Sequence, residues 1–168
     1  MSIRNILKNF NLFVDGRGFA GEIGDYTPAS PSIAAEEYRA GGMDGPIDID
    51  MGTEKMTTSF VLRNYSADVL SLWGIAPGVL IPVTARGALE SEDGTVTPVI
   101  HNMRGKIIQP DRGTWSPGQT ASLTVNMTLE AFKETIGGQL ITEIDIINMV
   151  RRTGGVDRLA QIRAALGI

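Results

Sequence analysis

Cysteine is absent from this 168-residue chain, so a disulfide framework and a cysteine-bound metal site are both excluded. That absence fits assembly in the cytoplasm of a cell. Long apolar runs are missing too: none approaches the roughly 20 residues a membrane helix needs. The first five residues, Met1-Ser2-Ile3-Arg4-Asn5, lack the apolar core of a signal peptide. Clustered positive charge is scarce in the body of the chain, where residues 1–150 carry 18 acids against 11 bases. Tight nucleic-acid binding rests on clustered lysine and arginine that release counterions, and the body offers no such cluster. Residues 151–168 reverse the balance, with Arg151, Arg152, Arg158 and Arg163 against Asp157 alone. This short basic tail reads as an amphipathic helix suited to an acidic neighbour.

What the chain does hold is 20 glycines and 8 prolines, with 42% hydrophobic and 20% charged residues. Frequent turns imply strands, and the length implies one domain, residues 1–168, burying roughly 70% of its unfolded surface. Leu12-Phe13-Val14, Asp15-Gly16-Arg17-Gly18 and Phe19 read as a hairpin whose Asp-Gly step supplies positive φ. Residues 25–35 are too rich in proline and serine to specify an element. In residues 56–63, Met56, Thr58, Phe60 and Leu62 alternate with Thr57, Ser59, Val61 and Arg63, the pattern of a strand with one buried face. Ser66 then caps an expected short helix over residues 67–73, stopped by Gly74. Residues 79–90 and 95–108 read as strands, with Pro82 and Pro98 placed at ends, edges or bulges. The clearest signal follows: Ala121, Leu123, Val125, Met127, Leu129 and Ala131 alternate with Ser122, Thr124, Asn126, Thr128 and Glu130. Gly137-Gly138 turns that strand into a long partner over residues 139–150. Leu159, Ile162 and Leu166 make one stripe of a closing helix over residues 156–166, with Asp157 at its positive end and Gly167 beyond its last turn. Such a helix does not persist alone in water, so something must receive its apolar stripe.

One segment stands apart, Tyr38-Arg39-Ala40-Gly41-Gly42-Met43-Asp44-Gly45-Pro46-Ile47-Asp48-Ile49-Asp50-Met51-Gly52. Its glycines and proline oppose helix, and no regular strand is expected either. It nevertheless carries Tyr38, Met43, Ile47, Ile49 and Met51, apolar side chains that a solvated linker has no use for. An extended loop over residues 38–55 that covers a second copy of the chain accounts for them.

That segment resembles the corresponding stretch of the major tail tube proteins of contractile-tailed phages and R-type bacteriocins. Further matching pieces occur in order along the chain. They are Asn11-Leu12-Phe13-Val14-Asp15-Gly16, Glu143-Ile144-Asp145, Ile147-Asn148-Met149, Gly155-Val156-Asp157-Arg158-Leu159, Arg163 and Leu166-Gly167. Residues 64–135 share only the strand pattern. The resemblance implies a mainly β fold, a β-sandwich with one short internal helix and a C-terminal helix. It also implies hexameric rings stacked into a tube inside a contractile sheath, with four strands per subunit joined into a continuous inner barrel. Tail sheath, baseplate and tail terminator proteins are the implied partners, and the virion the implied location.

Catalytic constellations are weak by comparison. His101 is the sole histidine and lacks a sequence-evident partner to orient it, so a hydrogen-bonded surface or interface role is expected. Asp44, Asp48, Asp50 and Glu54 depart from the spacing of a calcium loop and suit pairing with arginines of a neighbouring copy. Glu143 and Asp145 share a strand face, but nothing else marks a sugar cleft. The paired glycines lack a phosphate-loop pattern, and the sequons at Asn64 and Asn126 have no meaning without secretion. No catalytic residue, metal or cofactor is expected.

The sequence therefore reads as a structural subunit. Tyr38, Arg39, Gly41, Gly42, Met43, Asp44, Pro46, Ile47, Asp50 and Met51 are expected at the subunit interface. Val156, Asp157, Leu159, Ile162 and Leu166 are expected to dock the closing helix. Thr57, Ser59, Ser122, Thr124, Asn126, Thr128 and Glu130 are expected to face a lumen through which DNA passes without sticking. Two other readings remain open at this point: a bacteriocin or type VI-like secretion tube that carries no DNA, and a small carboxylate or metal-dependent enzyme.

Overall fold

In the computed structural model, which describes residues 5–168, turn chemistry decides where the strands fall. The expectation about a leader rests on residues 1–4 and lies outside the described residues. Strand β1 (Ile6–Val14) turns through Asp15 and Gly16, at φ 49° and 80°, into β2 (Arg17–Gly18). There follow β3 (Ile23–Thr27), β4 (Ile33–Tyr38), β5 (Ile47–Thr53), β6 (Met56–Leu62) and the short helix α1 (Ala67–Leu70). Next come β7 (Ile81–Glu90), β8 (Val96–Asp111) and β9 (Leu123–Ile136). Gly137 and Gly138, both at positive φ, turn β9 into β10 (Gln139–Asp145). The chain ends with β11 (Val150–Thr153), β12 (Val156–Asp157) and α2 (Ala160–Leu166).

Ten strands form one sheet in the order β12-β11-β10-β9-β8-β7-β1-β2, with β6 pairing β9 and β3 pairing β6 off that path. The branch arises because β9 is long enough to serve two partners along one edge. Residues 123–129 pair with β6 and residues 131–136 with β10, while β8 follows the other edge. Two bulges bend this central pair. Glu130 is the extra residue on β9, opposite Arg104 and Gly105, and Ile108 is the extra residue on β8. A bulge increases local twist and reverses the in-out phase beyond it. The sheet therefore folds over itself, and Tyr26 of β3 meets Phe10 of β1 across the gap. Between the layers lie Leu12, Val14, Phe60, Leu62, Val83, Met103, Leu123, Val125 and Met127, all essentially inaccessible. Gly105 makes the bend possible, because a Cβ there would lie 2.1 Å from the Thr128 carbonyl oxygen.

Several expectations are corrected. Residues 38–52 do not form an irregular loop: β4 and β5 pair antiparallel as a separate two-stranded hairpin, with Tyr38 opposite Ile47. The apolar alternation of Ile47, Ile49 and Met51 outweighs the flanking glycines and proline. Likewise, β3 and the start of β4 fall within residues 25–35, where no element was expected. Ala131 leaves the buried face and Phe132 replaces it, since the Glu130 bulge shifts the phase. Ser122 precedes β9 and is not one of its alternating residues. The partner over residues 139–150 is broken after Asp145, whose side chain caps the Asn148 backbone N–H at 3.0 Å; β11 then folds back on β10. The closing helix is shorter than expected, because Val156 and Asp157 pair with Thr153 and Arg152 as β12. By contrast, Ser66 does accept from the Val69 N–H as its cap, and helical turns of the tighter kind carry the chain on to Trp73.

Candidate functional site

The hairpin β4–β5 is an amphipathic arm. Register places Tyr38, Ile47, Glu36 and Ile49 on one face, and period two adds Met51; Glu37, Asp48, Ala35 and Asp50 occupy the other. The apolar face is uncovered, Met51 being 59% exposed. Arg39, Gly41, Gly42, Met43, Asp44 and Pro46 make the tip, where the Met43 N–H donates to the Ala40 carbonyl at 3.2 Å. On the other face Glu37 and Asp48 are exposed, and Asp50 makes the contact with the body. Arg151 of β11 grips Asp50 with both guanidinium nitrogens, at 2.7 and 3.2 Å. That bidentate bond holds the Asp50 carboxyl below its ordinary value, helped by the Gly52 backbone N–H. Asp50 was expected to pair with an arginine of another copy; its partner is in its own chain.

A four-stranded leaf, β3-β6-β9 with the distal half of β8, carries the lumen candidates. Thr57 lies opposite Thr128, Ser59 opposite Asn126, and Val61 opposite Thr124, all on the side away from the core. Glu130 sits at their end and pairs with Lys106 at 3.1 Å, while Lys55 borders the same shallow depression. Ser122 lies apart from this row, beside Gly24, Arg63 and Thr120. The face is mostly polar, with Val61 and Ile108 as apolar exceptions, and its Lys106 is balanced by Glu130. Sequence reading of one strand missed both lysines, which neighbouring segments bring in. Both outer edges of this leaf are open among the described residues. β3 pairs only with β6, and β7 leaves β8 at Gly105, so residues 106–111 have a partner only in β9.

At the C-terminus, Arg163 is the organising residue. It donates to the Met149 carbonyl at 2.7 Å and to Asp157 at 2.6 Å, and that second bond draws the Asp157 carboxyl below its ordinary value. Asp157 also accepts from the Leu159 N–H, but it does so from β12, and the first turn of α2 carries no acid, contrary to its expected place in the helix. Leu159 is half-buried, but Val156, Ile162 and Leu166 remain exposed. Beyond Leu159, the stripe of α2 thus finds no cover among the described residues.

His101 is buried, contrary to the expected surface placement. Its Nδ1 lies 2.9 Å from the Tyr26 hydroxyl and its Nε2 3.1 Å from Glu134. Burial raises the Tyr26 hydroxyl well above its ordinary value, so it stays protonated, lying against both His101 Nδ1 and the Met103 sulfur. These groups are hydrogen-bonded to one another along the wall of an apolar cleft that Leu7, Phe10 and Ile136 also line. Partners 33 and 75 residues distant gave no local signal. Glu143 and Asp145 are likewise engaged, by Arg152 at 2.7 Å and Arg104 at 3.3 Å. Among the described residues no three metal-ligating side chains gather, and no helix is long and apolar enough to cross a membrane.

The fold matches a chain in the extended-state sheath-tube complex of an extracellular contractile injection system, PVC, at TM-score 0.60 and 10% identity, covering 78% of this chain and 90% of that one. The chain belongs to the family of phage tail tube protein FII, which it matches over residues 4–167. It is 28% identical to the tail tube protein of Escherichia phage P2 over 172 residues, covering all of both chains. To the major tail tube protein of Serratia phage KSP20 it is 26% identical, covering all of this chain and 99% of the relative. It is thus a tail tube protein of the contractile-phage type, a structural component of the virion.

Proposed function

We propose that this chain, as one domain, closes into six-membered rings that stack as the hollow inner tube of a contractile tail and conduct DNA. The observation that carries this reading is the four-stranded leaf with an open edge at each end and a mostly polar outer face. Edge-to-edge joining of β8 residues 106–111 with β3 of the next copy removes both edges at once and makes the leaf one sector of a closed barrel. Thr57, Ser59, Thr124, Asn126, Thr128 and Glu130 then line the lumen, with Ser122 at its margin. A wall without a basic cluster adds little counterion-release attraction for phosphate, so DNA slides past. Relatives in phages P2 and KSP20 favour a DNA tube over a bacteriocin or secretion tube.

The arm reaches an adjacent copy, where Tyr38, Ile47, Ile49 and Met51 find cover, and the tip residues Arg39, Gly41, Gly42, Met43, Asp44 and Pro46 complete the contact. The exposed stripe of α2 docks on a neighbour. Sheath, baseplate and terminator proteins meet the outside and the ends of the tube, which is assembled in the host cytoplasm. Negative-stain microscopy of the purified chain tests the reading. Tubes with six-fold end views are expected, and a chain truncated after Thr153 is expected to give monomers or rings that do not polymerise. A dispersed monomer at high concentration overturns the tube reading, and normal tubes from the truncated chain overturn the helix docking.

A further inference from the structure

The open half of β8 is not left bare. Ile108 is bulged out of the β8–β9 ladder, and Pro110 has no N–H to offer a further strand. In addition, the Trp73 indole N–H donates to the Ile108 carbonyl at 3.1 Å. The Tyr65 hydroxyl donates to the Arg112 carbonyl at 2.5 Å and itself accepts from the Trp115 indole. All three aromatics flank the half-strand that β7 abandons at Gly105. Trp73 is 56% exposed, far more than a core tryptophan, so packing does not explain its placement. Its polar tip occupies an acceptor that a pairing strand would use.

We propose that Trp73 is an autoinhibitory guard of this edge, rejected from the Ile108 carbonyl when a second copy's β3 pairs there. The inference rests on edge-to-edge ring closure. In the free chain the indole blunts an edge that would otherwise template random strand addition, the hazard that exposed edges carry. Ring closure exchanges one indole hydrogen bond for a ladder bond, so the guard raises the concentration at which tubes appear without preventing them.

Trp73→Phe keeps the ring and removes the donor. It should lower the critical concentration for tube growth, read by light scattering, about fivefold, equivalent to about 1 kcal/mol for one neutral hydrogen bond. Its melting temperature reports whether the protomer still folds. In Trp115→Phe, where Trp73 is the only tryptophan, emission should shift on assembly as the indole leaves its carbonyl; this measurement does not depend on the Trp73 variant folding. A folded Trp73→Phe chain with an unchanged or higher critical concentration, or Trp73 emission that is the same in tubes as in protomers, overturns the guard while leaving the tube intact. Failure of the unaltered chain to form any tube overturns the ring reading instead.

Discussion

Replacing Gly105 by alanine should be among the most damaging single-methyl changes in this chain. The new Cβ would sit 2.1 Å from the Thr128 carbonyl oxygen and 2.9 Å from the Leu129 Cα, both backbone atoms, where ordinary contacts begin at 3.4 Å. No rotamer can relieve a clash with backbone, so β8 and β9 must part by about 1 Å at the Glu130 bulge. Overpacking of this kind costs about 1–3 kcal/mol. Parting the strands also weakens one or two ladder hydrogen bonds, each worth about 0.5–1.5 kcal/mol. The total, about 1.5–6 kcal/mol, is a large share of the 5–15 kcal/mol typical of a domain. At about 2–4 °C per kcal/mol for a chain of this size, the melting temperature should fall by roughly 3–24 °C. Thermal unfolding followed by circular dichroism at low protein concentration measures this without interference from assembly. Gly41→Ala is the control: nothing lies within 4 Å of its Cβ, and the change should leave stability unaltered or raised by about 0.4–1 kcal/mol. If Gly105→Ala melts within about 2 °C of the unaltered chain, the close approach at the bulge is wrong.

Other expectations follow from single contacts. Because Arg151 holds the folded-state pKa of Asp50 below the ordinary carboxylate value of about 3.9, the grip on the arm is complete above that value. It is lost as the pH falls through the lowered one, so amide exchange across residues 33–53 should accelerate in that acid window, and Asp50→Asn should show the fast rate at every pH. Arg163→Ala frees both Asp157 and the Met149 carbonyl, and should make α2 exchange its amides faster than β11 does. His101→Ala leaves Tyr26 and Glu134 without their shared partner in a buried site; a loss of about 2–4 kcal/mol is expected by chemical denaturation. Thr128→Arg places new positive charge on the candidate lumen wall, and tubes carrying it should retain DNA in a salt-dependent way, with stable retention absent from unaltered tubes.

Much of this fold was legible because its signals are local. The alternation through β6 and β9, the Asp15-Gly16 and Gly137-Gly138 turns, and the Ser66 cap each depend on residues within a few positions. The arm was misread for a local reason too. Gly41, Gly42 and Pro46 belong to the tip, yet their breaking power was extended over Ile47, Ile49 and Met51, whose period of two already described a strand. What sequence could not show is distant pairing. Asp50 and Arg151 stand 101 residues apart, and nothing near either predicts the other. The Glu130 bulge is intermediate: a glycine inside a strand signals close backbone approach, so Gly105 was a cue, but its consequence for Ala131 and Phe132 needed the register.

The Asp50–Arg151 pair also bears on the proposed docking of the arm. The acids Asp44, Asp48, Asp50 and Glu54 were expected to pair with arginines of a neighbouring copy, yet Asp50 of the arm is already held by its own body. Its own body therefore orients the arm before any neighbour arrives, which reduces the ordering that docking must accomplish. The row Tyr38, Ile47, Ile49 and Met51 is exposed, while Asp50 on the opposite face is tied to the body. Contact between copies through the arm should then be led by apolar burial, with charge setting the angle of presentation. High salt discriminates between these roles, since it screens exposed ion pairs but does not weaken apolar contact. An arm that docks by its apolar face should keep tubes intact in molar salt, whereas one that docks through its carboxylates should release them.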